Sequence, residues 1–151
     1  MIMKNSKLLH ANLKNVLSLP DPACDWLIML WGAIQLFDDV ADGDPIDRED
    51  LNAVIWNTLI GMNQNSFWLT NSITLAPVIA TMILKWQGSD KAERSGQADA
   101  RSYGWRAGYY DVVMMVVALC HGTKYATDNA HLVMSLYGEK LEDYLREFNN
   151  A

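Results

Sequence analysis

The sequence predicts an all-α protein, a compact single-domain bundle of five or six helices over residues 1–151. Three observations lead there. Apolar residues recur at helical spacing along most of the chain. Asp-Pro, Gly-Asp-Pro, Gly-Ser-Asp and His-Gly signals divide it into helix-length segments. No convincing pair of alternating runs suggests a hairpin. A chain of 151 residues, half of them hydrophobic, is long enough for one domain with a sizeable core.

The elements follow in order. Residues 5–18 carry Leu8, Leu9, Leu13, Val16 and Leu17, a short amphipathic helix that Pro20 ends. Asp21 then caps a second helix with Pro22 at its first position. This helix runs to about Asp42 and stops at Gly43. Asp47 caps a third helix, with Glu49 and Asp50 in the first turn where the helix dipole favours them, ending near Gly61. Asn63-Gln64-Asn65-Ser66 reads as a polar loop. A fourth helix covers roughly 68–87 with a kink at Pro77; its Val, Ile and Thr content keeps a strand as the minor alternative. Gly88-Ser89-Asp90 breaks the chain, and a long fifth helix follows over about 90–120. Thr127 or Asp128 caps the last helix, whose apolar stripe is Val133, Tyr137, Leu141, Tyr144 and Phe148.

Composition narrows the function. The net charge of −6 argues against a nucleic-acid binder, which carries a basic patch or stripe. Cys24 and Cys120 lie in apolar runs with no C-x-x-C spacing, which reads as reduced thiols in a cytoplasmic protein. His10, His121 and His131 form no zinc pattern. The N-terminal residues include lysines but no apolar core follows, so no signal peptide is expected. Leu51 to Leu84 carries no charge, yet Asn57, Asn63, Gln64, Asn65, Asn71 and Pro77 interrupt it. Two bundle helices therefore explain it better than one membrane span, which needs about 20 mainly apolar residues.

The most informative segment is Asp38-Asp39-Val40-Ala41-Asp42. On a helix, Asp25, Gly32, Gln35, Asp38, Asp39 and Asp42 share a sector of about 140°, and the rest of that helix is apolar. Three carboxylates at a helix C-terminus repel one another and the helix dipole. Solvent, arginines or a divalent cation must offset this. Mg²⁺ or Mn²⁺ suits such hard oxygen ligands and bridges to phosphates.

Leu36-Phe37-Asp38-Asp39-Val40-Ala41-Asp42-Gly43 resembles the first aspartate-rich motif of class I isoprenoid synthases, in particular the squalene and phytoene synthase branch. The resemblance implies an all-α fold in which Asp38, Asp39 and Asp42 hold Mg²⁺ against a prenyl diphosphate. It covers about ten residues, and no second D-D-x-x-D or N-D-x-x-S-x-x-x-E follows. The spacing is also similar to the E-E-x-x-E helix of the all-α nucleoside triphosphate pyrophosphatases. Tyr110-Asp111-Val112-Val113 looks like that family's second metal helix, with Gly108 where the family has Glu.

On the fifth helix Glu93, Gln97, Ala100, Gly104, Ala107 and Asp111 share a face whose small residues admit a neighbouring helix. Asp111 reads either as a further metal ligand facing Asp39 or as a surface or salt-bridged acid where the helix enters the core. Arg94, Arg101 and Arg106 are the candidate phosphate partners; they also read as ordinary solvated helix residues or, if the acidic cluster is not a metal site, as counter-ions for the aspartates. Trp56, Trp68, Trp86, Trp105, Tyr103, Tyr109 and Tyr110 line either a pocket or plain core. No catalytic triad, nucleophile elbow or Gly-rich phosphate loop is present.

Two functions follow. One is a Mg²⁺-dependent (or Mn²⁺-dependent) protein that binds or cleaves a diphosphate-containing small molecule through the Asp-rich helix. The other is a non-enzymatic helical protein that self-associates as a homo-oligomer or binds a partner chain. Neither involves nucleic acid or a membrane.

Overall fold

The computed structural model describes residues 6–149; the N-terminal residues read above for a leader lie mostly outside that range. Every regular element among the described residues is helical, and the all-α expectation holds. The helix number does not. Five or six were expected, and eight distinct helices are present among the described residues. They are α1 (Ser6–Asn15), α2 (Asp21–Asp42), α3 (Arg48–Trp56, continued by a π-helical turn Asn57–Gly61 and Met62–Gln64) and α4 (Ser66–Arg94). Then come α5 (Ala100–Trp105), α6 (Tyr109–His121), α7 (Thr123–Met134) and α8 (Leu141–Asn149).

The extra helices come from the second half of the chain. The expected 90–120 helix is cut at Gly96, whose φ of 72° is open to glycine at no steric cost. There the Gly96 and Gln97 amides donate to the Glu93 and Ala92 carbonyls, closing α4. Asp99 then caps α5 in a reciprocal box with Ser102. The expected last helix is split in the same way, because residues 135–140 leave the helix between α7 and α8. The small-residue face drawn from Glu93 to Asp111 therefore belongs to no single helix. In the opposite sense, the break expected at Gly88-Ser89-Asp90 is absent and α4 runs through it. Ser89 is buried and its hydroxyl donates to the Ser102 carbonyl at 2.9 Å, so the position is tied down from outside the helix.

The chain divides into two compact units, residues 1–72 and 73–151. In the first, α2 is the central element. It buries Ala23, Cys24, Trp26, Leu27, Leu30, Ala33 and Leu36. Leu9 and Leu13 of α1 are buried with them, and Ala33 and Leu36 form a cluster with Val54 of α3. Trp26 stacks on Trp68 with centroids 5.3 Å apart. Asn65 holds that end. Its side-chain oxygen accepts from the Trp68 amide at 3.1 Å and its amide donates to the Pro22 carbonyl at 2.9 Å. The polar loop read there is thus a helix cap tied to the start of α2.

In the second unit the core is Val112, Val113, Val116 and Val117 of α6 with Leu75 and Met82 of α4, Val133 of α7 and Tyr144 of α8. Gly108 is buried against Met82: a Cβ there would lie 3.2 Å from the Met82 Cα. Pro77 sits inside α4, which continues past it.

Candidate functional site

The acidic end of α2 is closed as its sequence suggests. Gly43 is left-handed, with φ 76°; its amide donates to Val40 and that of Asp44 to Asp39. This turn places Asp44 beside the carboxylates of the last helical turn. Asp38 and Asp39 are half-buried and Asp42 is exposed. The Asp39 carboxyl is held above its ordinary range by partial burial and then by the charges of Asp44 and Asp38. No basic residue lies in the last turn of α2 to offset them. Asp25, on the same face, lies 3.8 Å from His10 of α1. Among the described residues, no group of three or more Asp, Glu, His or Cys is arranged to hold a metal ion.

The remaining candidates lie in the second unit, each beside an opposite charge. Asp111 accepts from Lys85 at 2.7 Å, the salt-bridged reading of that residue. Arg94 pairs with Asp90 at 2.9 Å, one turn back on α4. Arg101 grips Asp99 through Nε and Nη2 at 3.0 and 2.8 Å. The same carboxylate accepts from backbone amides of α5, and these bonds, Arg101 first, hold it below its usual range. Arg106 lies between Glu93 and Glu139 at 3.6 and 3.8 Å, over the rings of Tyr144 and Phe148.

Around Arg106 the structure assembles a polar and aromatic cluster that helical periodicity did not reveal. Tyr144 is fully buried and shares a 2.6 Å hydrogen bond with Ser102. Tyr103 donates to the Glu139 carbonyl and Tyr137 to the Glu139 carboxylate. Burial pushes the Tyr110 phenol up to about 12, and it raises Tyr103, Tyr137 and Tyr144 as well. These phenols remain protonated at ordinary pH. They serve as hydrogen-bonding ends of packed rings and offer no base for catalysis.

An open cavity of about 520 Å³ borders this cluster, lined in part by Ser89, Gln97, Asp99, Arg101, Ser102 and Trp105. Its carboxylate and hydroxyls are already engaged, Asp99 and Ser102 in the α5 cap and Ser89 with Ser102. No nucleophile–base pair faces it among the described residues.

The third feature is the surface of α4. By length and composition alone this helix could cross a membrane. Yet only 11% of its most apolar stretch is buried. Ile73 is 91% exposed, with Leu69, Ile83 and Leu84 also open, and in α3 Trp56 and Leu59 are exposed as well. The uncharged Leu51 to Leu84 stretch, expected in the middle of a bundle, therefore shows much of its apolar surface. Comparison with protein families, curated proteins and solved structures finds no match to this chain.

Proposed function

We propose that this chain is a non-enzymatic helical protein that works by binding another protein chain through the apolar surface of α4. One observation carries the reading: a long helix leaves Leu69, Ile73, Ile83 and Leu84 exposed, with only 11% of its most apolar stretch buried. A surface meant for water would place charge there, as α8 does with Glu142, Asp143, Arg146 and Glu147. Large exposed apolar patches mark sites of association. A protein partner suits α4 better than lipid. Its other edge buries Leu75, Met82 and Ser89 and pairs Lys85 with Asp111, so a bilayer around α4 would meet a charged helical unit. The test combines sedimentation velocity over a concentration series with binding of an apolar dye and flotation with phosphatidylcholine vesicles. Association, or dye binding by the monomer, is the expected result. A monomer that binds no dye, or one that floats with the vesicles, overturns the reading.

The diphosphate reading has one observation in its favour. Negative charge crowds the end of α2, and a divalent ion would relieve it. Its arginines would have to exchange their present carboxylate partners for phosphate. On that reading Mg²⁺ or Mn²⁺, with or without pyrophosphate, raises the melting temperature, and an Asp38→Asn, Asp39→Asn double variant loses the rise. Unmoved wild-type melts in every mixture would rule it out.

A further inference from the structure

We infer that the chain covering α4 is a second copy of this one, laid antiparallel across Ile73, Ala76, Ala80 and Ile83; this rests on the association reading above. The four are exposed and follow one another by three, four and three residues, the repeat of a two-helix seam. At 100° per residue they span about 80° of the helix, with Pro77 and Leu84 beside them. Leu75, Met82 and Ser89 bury the opposite side. From Ile73 onward the helix thus has two edges, one buried within the second unit and one open and apolar.

The centre of the open edge, Ile73 to Ile83, reads the same in both directions, while beyond it the same face carries Leu69 at one end and Gln87 at the other. Large, small, small and large side chains are arranged symmetrically about residue 78. A two-fold axis through that point pairs Ile73 with Ile83 of the partner subunit, and Ala76 with Ala80 of the partner subunit. This is the self-complementarity an isologous contact requires, and an unrelated partner has no need of it. The alanines let the two backbones approach while the isoleucines pack on either side. Charge selects the orientation. Lys91 continues the same face beyond the seam, followed by Arg94, whose charge Asp90 offsets. In a parallel pair Lys91 would meet its own copy at close range, whereas in an antiparallel pair the two lysines lie at opposite ends. Ser66 through Leu84 is uncharged, so no like charges meet across the seam.

The experiment uses the full chain with half-buried Cys120 replaced by Ser and buried Cys24 left in place. Ala76→Cys and Ala80→Cys variants are made separately and oxidised alone and as a mixture. The expected product is a mixed disulfide between positions 76 and 80, formed at least several-fold faster than either homodimer, since only that pair comes within bridging distance. An Ile73→Glu, Ile83→Glu variant should sediment as a monomer with an unchanged helical spectrum. Faster homodimer formation at position 76 overturns the antiparallel assignment. A double Glu variant that still associates overturns the choice of face. A wild-type monomer that binds the apolar dye overturns the second copy while the association reading stands. Wild-type flotation with vesicles, lost in the double Glu variant, makes lipid the occupant and overturns both.

Discussion

At the scale of single residues, electrostatic environment separates carboxylates that look alike in the sequence. Asp39 is raised above the ordinary value of 3.8, by partial burial first and neighbouring acids next. Its folded state therefore holds the proton more tightly than the unfolded chain does. Ionised Asp39 costs stability at neutral pH, and that cost fades as pH falls through the raised value toward 3.8. Asp39→Asn should therefore melt higher than wild type at pH 7, by roughly 0.3–1 kcal/mol for a charge removed from a helix C-terminus. The two proteins should converge near pH 3, so thermal melts at the two pH values check this. A variant less stable at neutral pH would mean that Asp39 is held by a cation. Asp99 behaves in the opposite way. Arg101 and the α5 amides lower it, so its contribution is present above the ordinary carboxylate range and is lost as pH falls through the depressed value. Tyr144 tests the buried cluster. Tyr144→Phe loses one hydrogen bond to Ser102 and should cost about 1 kcal/mol. Tyr144→Ala also removes the ring under Arg106 and should cost about 3–5 kcal/mol. Urea midpoints distinguish the two.

At the scale of elements, the glycines separate close packing from open turns. Gly108 meets the backbone of α4 at Met82, and that contact cannot yield by rotating a side chain. Gly108→Ala should therefore destabilise by about 1–3 kcal/mol, the usual cost of forcing atoms into a packed interior. Gly104, within α5, has open space where a methyl group would project, with nothing within 4 Å. Gly104→Ala should gain up to about 1 kcal/mol from helix propensity. Equal shifts in their denaturation midpoints would mean that α4 and α6 are not in the contact described. Local signals also mark where the sequence misleads. Gly43 and Gly96 end helices by the same left-handed closure. The first is legible because charge and proline follow it. The second is hidden because apolar periodicity resumes soon afterwards, although Asp99 and Ser102 already carry the spacing of a reciprocal cap.

At the scale of the molecule, association should make stability depend on concentration. If α4 pairs with its copy, the wild-type melting temperature rises with protein concentration by mass action. Ile73→Glu, Ile83→Glu should melt at one temperature across the same series, since Ile73 is 91% exposed and its replacement touches no core. A wild-type melt that ignores a hundred-fold dilution would count against the pairing.

Periodicity along the chain determined that this protein is built of helices, where α2 ends, and much of what is buried. Val133, Tyr144 and Phe148 read as one stripe on one helix. They belong to two helices, yet Val133 and Tyr144 are buried as expected. Burial there follows from the apolar character of each side chain, which the sequence states directly. Local closures at Gly96 and Asp99 set the boundaries between α4 and α5, but the passage of α4 through Gly88 was decided by contact with other segments. Ser89 carries α4 through an apparent break by bonding to Ser102, and Gly108 lets α4 approach. The candidate arginines and Asp111 were legible as charges; Arg94 and Arg101 pair with near neighbours, Asp90 and Asp99, but the partners of Asp111 and Arg106 were not legible. Lys85 lies 26 residues from Asp111 and Glu139 lies far along the chain from Arg106. A charge declares its sign in the sequence, while a counter-ion such as Lys85 or Glu139 is fixed only when folding brings distant segments within a few ångströms.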